Sequence, residues 1–406
     1  MILYGFTLYL AFMAAGFPAG AYSLIWTQIS ERMTVPVPSI SILRAMVAAG
    51  AVLACIFWTR GGRKSERNLD LCLAGVSFET LGLIGFSLSR VFWNLMLWSF
   101  MLGIGYGTSL TLLCIVVMKL DRREIMLYFS GICTGAFAGC WLLSETIRIS
   151  GSWRTGCQVL GLVQILIAVT AFFIRRVLMK GGELRGKLEE RVRFMEIARE
   201  RQRNCMSLEP SDMKMAEKQY MIRTFCACIA AFLTGILVFC ITLWPQSYRV
   251  AQTYASQELT GYGVLMVSLG MAAGRIAAGA FRPRKKAVRV TALAGAGILL
   301  ILEQILISRE ALTDQGLLFF QLLEGAAIGP VFPSLLFLDD VRLDKDAEMA
   351  LLSLLPAFSL GSYVLGTPLT QALVGGGQAG YFPLWLLVLA AGLGICLFFS
   401  DRGERD

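Results

Sequence analysis

Apolar residues gather along this chain in about twelve stretches, and charged residues fall in the gaps between them. The stretches cover roughly 3–27, 39–58, 70–88, 91–118, 125–147, 155–174, 222–244, 259–281, 288–307, 314–338, 349–374 and 380–400. About 20 apolar residues, each rising about 1.5 Å in a helix, span a hydrocarbon core of about 30 Å. Inside lipid no water is present to bond backbone N–H and C=O groups, so each stretch is predicted to be a helix. The pattern predicts an all-α polytopic membrane protein with twelve transmembrane helices. One interval breaks the rhythm: residues 179–218 form a long polar segment.

Composition sharpens this picture. The chain is 56% hydrophobic and 16% charged, against about 25% charged in a soluble domain, and its mean hydropathy is +0.65. A net charge of +9 would point to nucleic acid in a soluble chain. Here the positive residues sort by side instead. Arg60, Arg63, Lys64 and Arg67 follow the second span, Lys119, Arg122 and Arg123 the fourth, and Arg282, Arg284, Lys285, Lys286 and Arg289 the eighth. All fall on the side of the termini and of the basic central loop. The other side carries only Arg32, Arg90, Arg148, Arg154, Arg249 and Arg309. The positive-inside rule therefore predicts cytoplasmic termini and central loop, in the cell (inner) membrane, and no nucleic-acid partner. The first span has no basic residues before it and no small-residue cleavage site, so it reads as retained. Most of the eleven cysteines lie inside spans and read as small packing residues. The chain has no histidine, which excludes a Cys/His metal site. No cofactor is implied.

The two halves repeat. Gly103-Ile104-Gly105-Tyr106-Gly107 in the fourth span matches Gly325-Ala326-Ala327-Ile328-Gly329 in the tenth at an offset of 222 residues. The basic loop Arg60-Gly61-Gly62-Arg63-Lys64 matches Arg282-Pro283-Arg284-Lys285-Lys286 at the same offset. This predicts two pseudo-symmetric six-helix bundles, 1–178 and 219–406, joined by the cytoplasmic loop 179–218. Within that loop Leu184, Leu188, Val192 and Met195 recur at helical spacing. The segment is either an amphipathic helix on the leaflet or a solvated charged linker.

Several motifs carry a family resemblance. Thr59-Arg60-Gly61-Gly62-Arg63-Lys64 resembles the loop signature of the major facilitator superfamily, with Thr59 where the signature has an acid. Gly151-Ser152-Trp153-Arg154 resembles the motif opening its sixth helix, and Gly131, Gly135 and Gly139 match the glycine-spaced face of its fifth. Leu243-Trp244-Pro245-Gln246-Ser247-Tyr248, Gly274-Arg275, Gly329-Pro330-Val331-Phe332-Pro333-Ser334 and Gly366-Thr367-Pro368 resemble the fucose-permease-like sugar branch. The resemblance covers nearly the whole chain. It implies the twelve-helix major facilitator fold, a central cavity lined by spans 1, 4, 7 and 10, and proton–sugar symport by alternating access. The acidic residues of that branch fall near Ala19 and Leu110 here, and neither is acidic.

Ionisable groups inside the bilayer cost about 2.5–3.5 kcal/mol each at a helix centre, so each has a reason to be there. Glu324 lies midway along the tenth span, where a carboxyl group can load and release a proton; it is the coupling candidate, with pairing across helices as the alternative. Glu79, on the third span, reads as a structural pair. Glu145 and Glu303 lie near the outer ends of their spans and are expected to reach water. Arg44 is expected to snorkel outward or pair with an acid such as Glu145. Arg275 is expected to tie helix ends at the inner gate, with Asp339 or Asp340. Arg60, Gly62, Arg63, Lys64 and Arg154 complete the gating and structural set. The cavity candidates are Tyr22, Trp26, Ser109, Thr111, Gln164, Trp244, Gln246, Tyr248 and Gln321. They combine hydroxyls, amides and stacking rings, while the tryptophans also read as interface anchors.

These residues predict a secondary active or facilitative transporter of a small polar solute, sugar-like by resemblance, acting as a monomer with protons or another coupling ion. Two alternatives stand beside it: efflux of amphipathic or lipophilic organic compounds, and a non-transporting membrane sensor on the same fold. Gly61-Gly62-Arg63-Lys64 lacks the spacing of a phosphate-binding loop. With no nucleophile–base pair evident, no enzyme is predicted.

Overall fold

The structure is a computed structural model and describes residues 2–35, 39–61, 68–117, 120–180, 222, 224–242, 257–281, 285–309, 313–336, 354–364 and 382–401. The predicted helix at Leu184–Met195, the basic turn from Gly62 to Lys64, Trp244, Gln246, Tyr248, Asp339 and Asp340 lie outside the described residues.

In chain order the helices are α1 (Ile2–Gly16), α2 (Ala21–Met33), α3 (Ile40–Gly61), α4 (Asn68–Leu88), α5 (Phe92–Val117), α6 (Arg122–Ser150) and α7 (Trp153–Lys180). Then come α8 (Thr224–Thr242), α9 (Gln257–Ala280), α10 (Lys285–Ser308), α11 (Asp314–Ile328) and α12 (Val331–Leu335). Last are α13 (Leu354–Val364) and α14 (Phe382–Asp401). With α11 and α12 counted as one run, ten helices among the described residues are long and apolar enough to cross a bilayer. Their outward faces carry Phe57, Trp93, Phe281, Val388, Ile395 and Phe398, each more than half exposed. So much bare apolar surface is stable only against lipid. The protein is an integral membrane protein.

Two expected spans are not single helices. The first breaks over Phe17–Gly20, where Pro18 has no N–H to continue the ladder; short turn bonds such as Ala19 N–H to the Gly16 carbonyl replace it. The tenth breaks at Gly329-Pro330 for the same reason and resumes as α12. Elsewhere caps set the ends. Asp121 and Glu124 form a capping box that starts α6, and Gly151, at φ +66°, ends it in the left-handed region that glycine tolerates.

Glycine sets the helix spacing, and it does so twice. Gly103 and Gly107 of α5 sit on the Val47 and Ala51 carbonyls of α3, while Gly50 of α3 sits on the Phe100 carbonyl of α5. In the second half Gly325 and Gly329 of α11 sit on the Val267 and Met271 backbone of α9, while Gly270 sits on the Leu322 carbonyl. A Cβ at any of these positions would overlap backbone. The interlock recurs at an offset of 222 residues on α5 and α11 and 220 on α3 and α9. The offset of 222 visible in the sequence is thus a repeated backbone contact.

A cavity between the two halves as candidate functional site

The two halves meet where α6 packs along α9. Around that seam lies a cavity of about 230 Å³. The first half contributes the broken turn at Ala19 and Gly20, Arg44 on α3, Tyr106 and Leu110 on α5, and Phe129 and Cys133 on α6. The second half contributes Thr234 and Phe239 on α8, Ser268 and Arg275 on α9, Phe332 on α12, and Ser359 and Tyr363 on α13. Segments of both halves thus surround one space, wider than spans 1, 4, 7 and 10 alone. Ala19 and Leu110, the positions where the resembled branch carries acids, both line it.

Two arginines are the charged side chains in this lining. Arg44 is nearly buried, with its guanidinium 5.0 Å from the centre of the Phe239 ring. It neither snorkels outward nor meets Glu145, which pairs instead with Arg148, one turn away on the outer end of α6. The α3 helix turns position 44 toward the seam.

Arg275 is 4% exposed. Its Nε donates to the Gly329 carbonyl at 2.8 Å, and its Nη1 to the Phe129 carbonyl at 2.6 Å and to Cys133 Sγ at 2.9 Å. The Gly329 carbonyl is available because its helical donor four residues on would be Pro333, which has no N–H. Arg275 therefore mends a break in its own half and reaches into the other half with the same guanidinium. Phe129 and Phe332 meet across the seam as a tilted ring pair, centres 5.8 Å apart and planes at 57°.

The same proline logic relocates two predicted cavity residues. Gln164 Nε2 donates to the Ala14 carbonyl at 3.1 Å, the carbonyl that Pro18 leaves without its helical donor, and to Glu79 Oε2 at 3.0 Å. Thr80 Oγ1 donates to Gln164 Oε1 at 3.1 Å. Gln321 Nε2 donates to the Ile241 carbonyl at 3.4 Å, whose helical donor would be Pro245. Gln164 serves the break at Phe17–Gly20 and Gln321 a carbonyl next to the end of α8, each inside its own half, and neither is part of the cavity lining. Ser109 bonds to the Gly105 carbonyl of its own helix and to the Cys72 carbonyl of α4, and Thr111 to Cys55 Sγ of α3. The side chains of Tyr22, Trp26 and Arg60 lie outside the described residues. Arg154 donates to the Ser89 carbonyl at 3.0 Å and lies over the Trp153 ring, tying the start of α7 to the α4–α5 turn.

Glu324 lies 2% exposed on α11 and outside the cavity lining. Glu303, expected to reach water, is 1% exposed and faces Glu324 within hydrogen-bonding reach. The rotation of α10 turns position 303 onto α11 and away from lipid. Among the described residues no other donor serves either Glu303 oxygen or Glu324 Oε1. Two facing carboxyl groups without other donors hydrogen-bond only when they hold a proton between them.

No known family model matches the chain, and no curated protein matches it either.

Missed in the sequence were Arg44 as a cavity residue and the partnership of Glu303 with Glu324. Arg44 stood out as an isolated charge in an apolar span, but its direction depends on how the helix is rotated. Neither position has a sequence signal that fixes that rotation.

Proposed function

We propose that this protein is a secondary or facilitative transporter that moves a small solute through the cavity by alternating access. The cavity enclosed by both repeated halves is the observation that carries this reading. A pair of repeats around a shared site near the midplane is the architecture by which rocking one half against the other exposes the site alternately. The motif resemblance to the major facilitator superfamily, with twelve spans and cytoplasmic termini, supports the same reading. Broken helices at Ala19–Gly20 and at Gly329-Pro330 border the cavity. Irregular backbone of this kind is tolerated at membrane depth where protein or a solute site covers it.

The cross-half contacts form the gate in this mechanism. Arg275 holds the Phe129 carbonyl of the first half, and the Phe129–Phe332 ring pair closes the seam beside it. Opening on that side breaks the two hydrogen bonds from Arg275 to the Phe129 carbonyl and Cys133 Sγ and separates two rings. The Glu303–Glu324 pair lies beside the path, inside the second half, where a change in its proton count alters how α10 and α11 pack. It is the coupling element of this proposal.

The test is counterflow in proteoliposomes loaded with a candidate solute, with the full chain reconstituted. Saturable exchange above protein-free vesicles is expected. A short bifunctional thiol reagent bridging Phe129→Cys and Phe332→Cys, in a background without reactive cysteines, is expected to stop exchange. Exchange undiminished by that bridge refutes alternating access through this seam.

A further inference from the structure

We infer that the cavity takes a small organic anion, whose carboxylate is held by Arg275 and whose apolar body lies against the middle of the lining; this rests on the transporter reading above.

Among the described residues both charged side chains lining the cavity are arginines, and no Asp or Glu lines it. The partners of Arg275 are two backbone carbonyls and a thiol, all of them neutral. No salt bridge to Arg275 exists among the described residues. A guanidinium that is 4% exposed and uncompensated by a carboxylate needs an anion to complete it. Three bonds on Nε and Nη1 fix the plane of the group, and Nη2 makes none among the described residues. The two Nη2 hydrogens are thus left free and oriented in advance, the condition under which little freedom is lost on binding.

Position 275 corresponds in the repeat register to position 55 of α3, eleven residues beyond Arg44. Eleven residues of helix correspond to about 16 Å of rise, so the two positions are separated by about three turns in that register. Apart from the arginines the lining combines apolar side chains, Val47, Ile132, Val238, Val264 and Val267 among them, with the hydroxyls of Tyr106, Thr234, Ser268 and Tyr363. Arg44 lines the same cavity, over the Phe239 ring. A neutral sugar leaves the Arg275 guanidinium without a counter-charge. A lipophilic cation meets that same charge and is repelled by it. An organic anion of modest length satisfies both the charge and the apolar wall.

The experiment is counterflow with the full wild-type chain in proteoliposomes, using succinate, glutarate, benzoate and phenylacetate, with glucose and fucose as neutral probes and tetraphenylphosphonium as the cation. Saturable exchange of at least one carboxylate, and none of the neutral or cationic probes, is expected. Arg275→Gln is expected to weaken its apparent affinity at least tenfold. Arg275→Lys keeps the charge but not the fixed, oriented Nη2 donors, and weakens it several-fold; it carries the test of this residue if the glutamine variant does not fold. Exchange of glucose, fucose or the cation without any carboxylate overturns the anion assignment and leaves the transporter reading standing. Carboxylate exchange with unchanged affinity in Arg275→Lys overturns the role given to Arg275. Exchange of none of the probes overturns both readings.

Discussion

Replacing Gln164 by methionine isolates what a polar side chain does when it closes a helix break inside a membrane bundle. Methionine has similar length and no donors, so packing is nearly kept. The change removes the bonds to Glu79 Oε2 at 3.0 Å and to the Ala14 carbonyl at 3.1 Å. The carbonyl keeps a strained turn bond from Phe17 N–H at 3.3 Å. Glu79 keeps nothing among the described residues, because Oε1 already lacks a donor. A stranded buried group costs about 1–3 kcal/mol, while hydrogen bonds measured between membrane helices average about 0.6 kcal/mol. One fully and one partly stranded acceptor together give about 2–3 kcal/mol. Reversible unfolding in mixed micelles measures it, and a double-mutant cycle with Glu79→Met separates the side-chain pair, expected to couple by about 0.6–1.7 kcal/mol. Solute affinity should be unchanged, since Gln164 lies outside the cavity lining. A loss below about 0.5 kcal/mol, the range of an ordinary surface substitution, would refute the idea that Gln164 compensates for Pro18.

Glu324→Gln and Glu303→Gln are each expected to preserve solute exchange at equal pH while abolishing accumulation driven by a pH gradient; full accumulation in both variants removes the pair from the coupling role. Gly103→Ala and Gly325→Ala each force a Cβ into backbone of the facing helix and should cost about 1–3 kcal/mol in unfolding measurements. Gly297→Ala, whose Cβ would meet Leu387 Cδ1 at an ordinary 3.7 Å, should leave stability unchanged or raise it by up to about 1 kcal/mol, so equal losses at all three positions contradict the interlock. A fluorescent protein fused after Asp406 should fluoresce, since it folds in the cytoplasm; a fusion active only as an exported reporter reverses the predicted orientation.

Much of the fold was legible from one-dimensional pattern, because a bilayer imposes length and apolarity on every helix that crosses it. That constraint predicted spans such as 91–118, observed as Phe92–Val117, without any tertiary information. The repeat was legible too. Close backbone approach at Gly103 and Gly325 admits no side chain, so it leaves glycines at equal spacing in the sequence. Helix breaks were only half visible. Pro18 and Pro330 stood in the sequence, but the groups that satisfy the freed carbonyls come from elsewhere: Gln164 lies 150 residues from Ala14, and Arg275 lies 54 from Gly329. For that reason Gln164 and Gln321 looked like solute ligands, when each donates to a carbonyl whose helical donor position is a proline in the sequence. The useful signal was the proline, paired with a polar residue on another span.

The sequence by itself determined the solvent of this chain, the lengths of most of its described helices, and the repeated glycine spacing, all of which follow from local hydrophobicity and spacing. The rotation of each helix about its own axis was decided in three dimensions. Rotation turned Arg44 and Arg275 into the cavity and brought Glu303 onto Glu324, because a side chain's direction is chosen by the packing of neighbouring helices. Apolar spans with weak amphipathic contrast carry little record of that choice in their own residues.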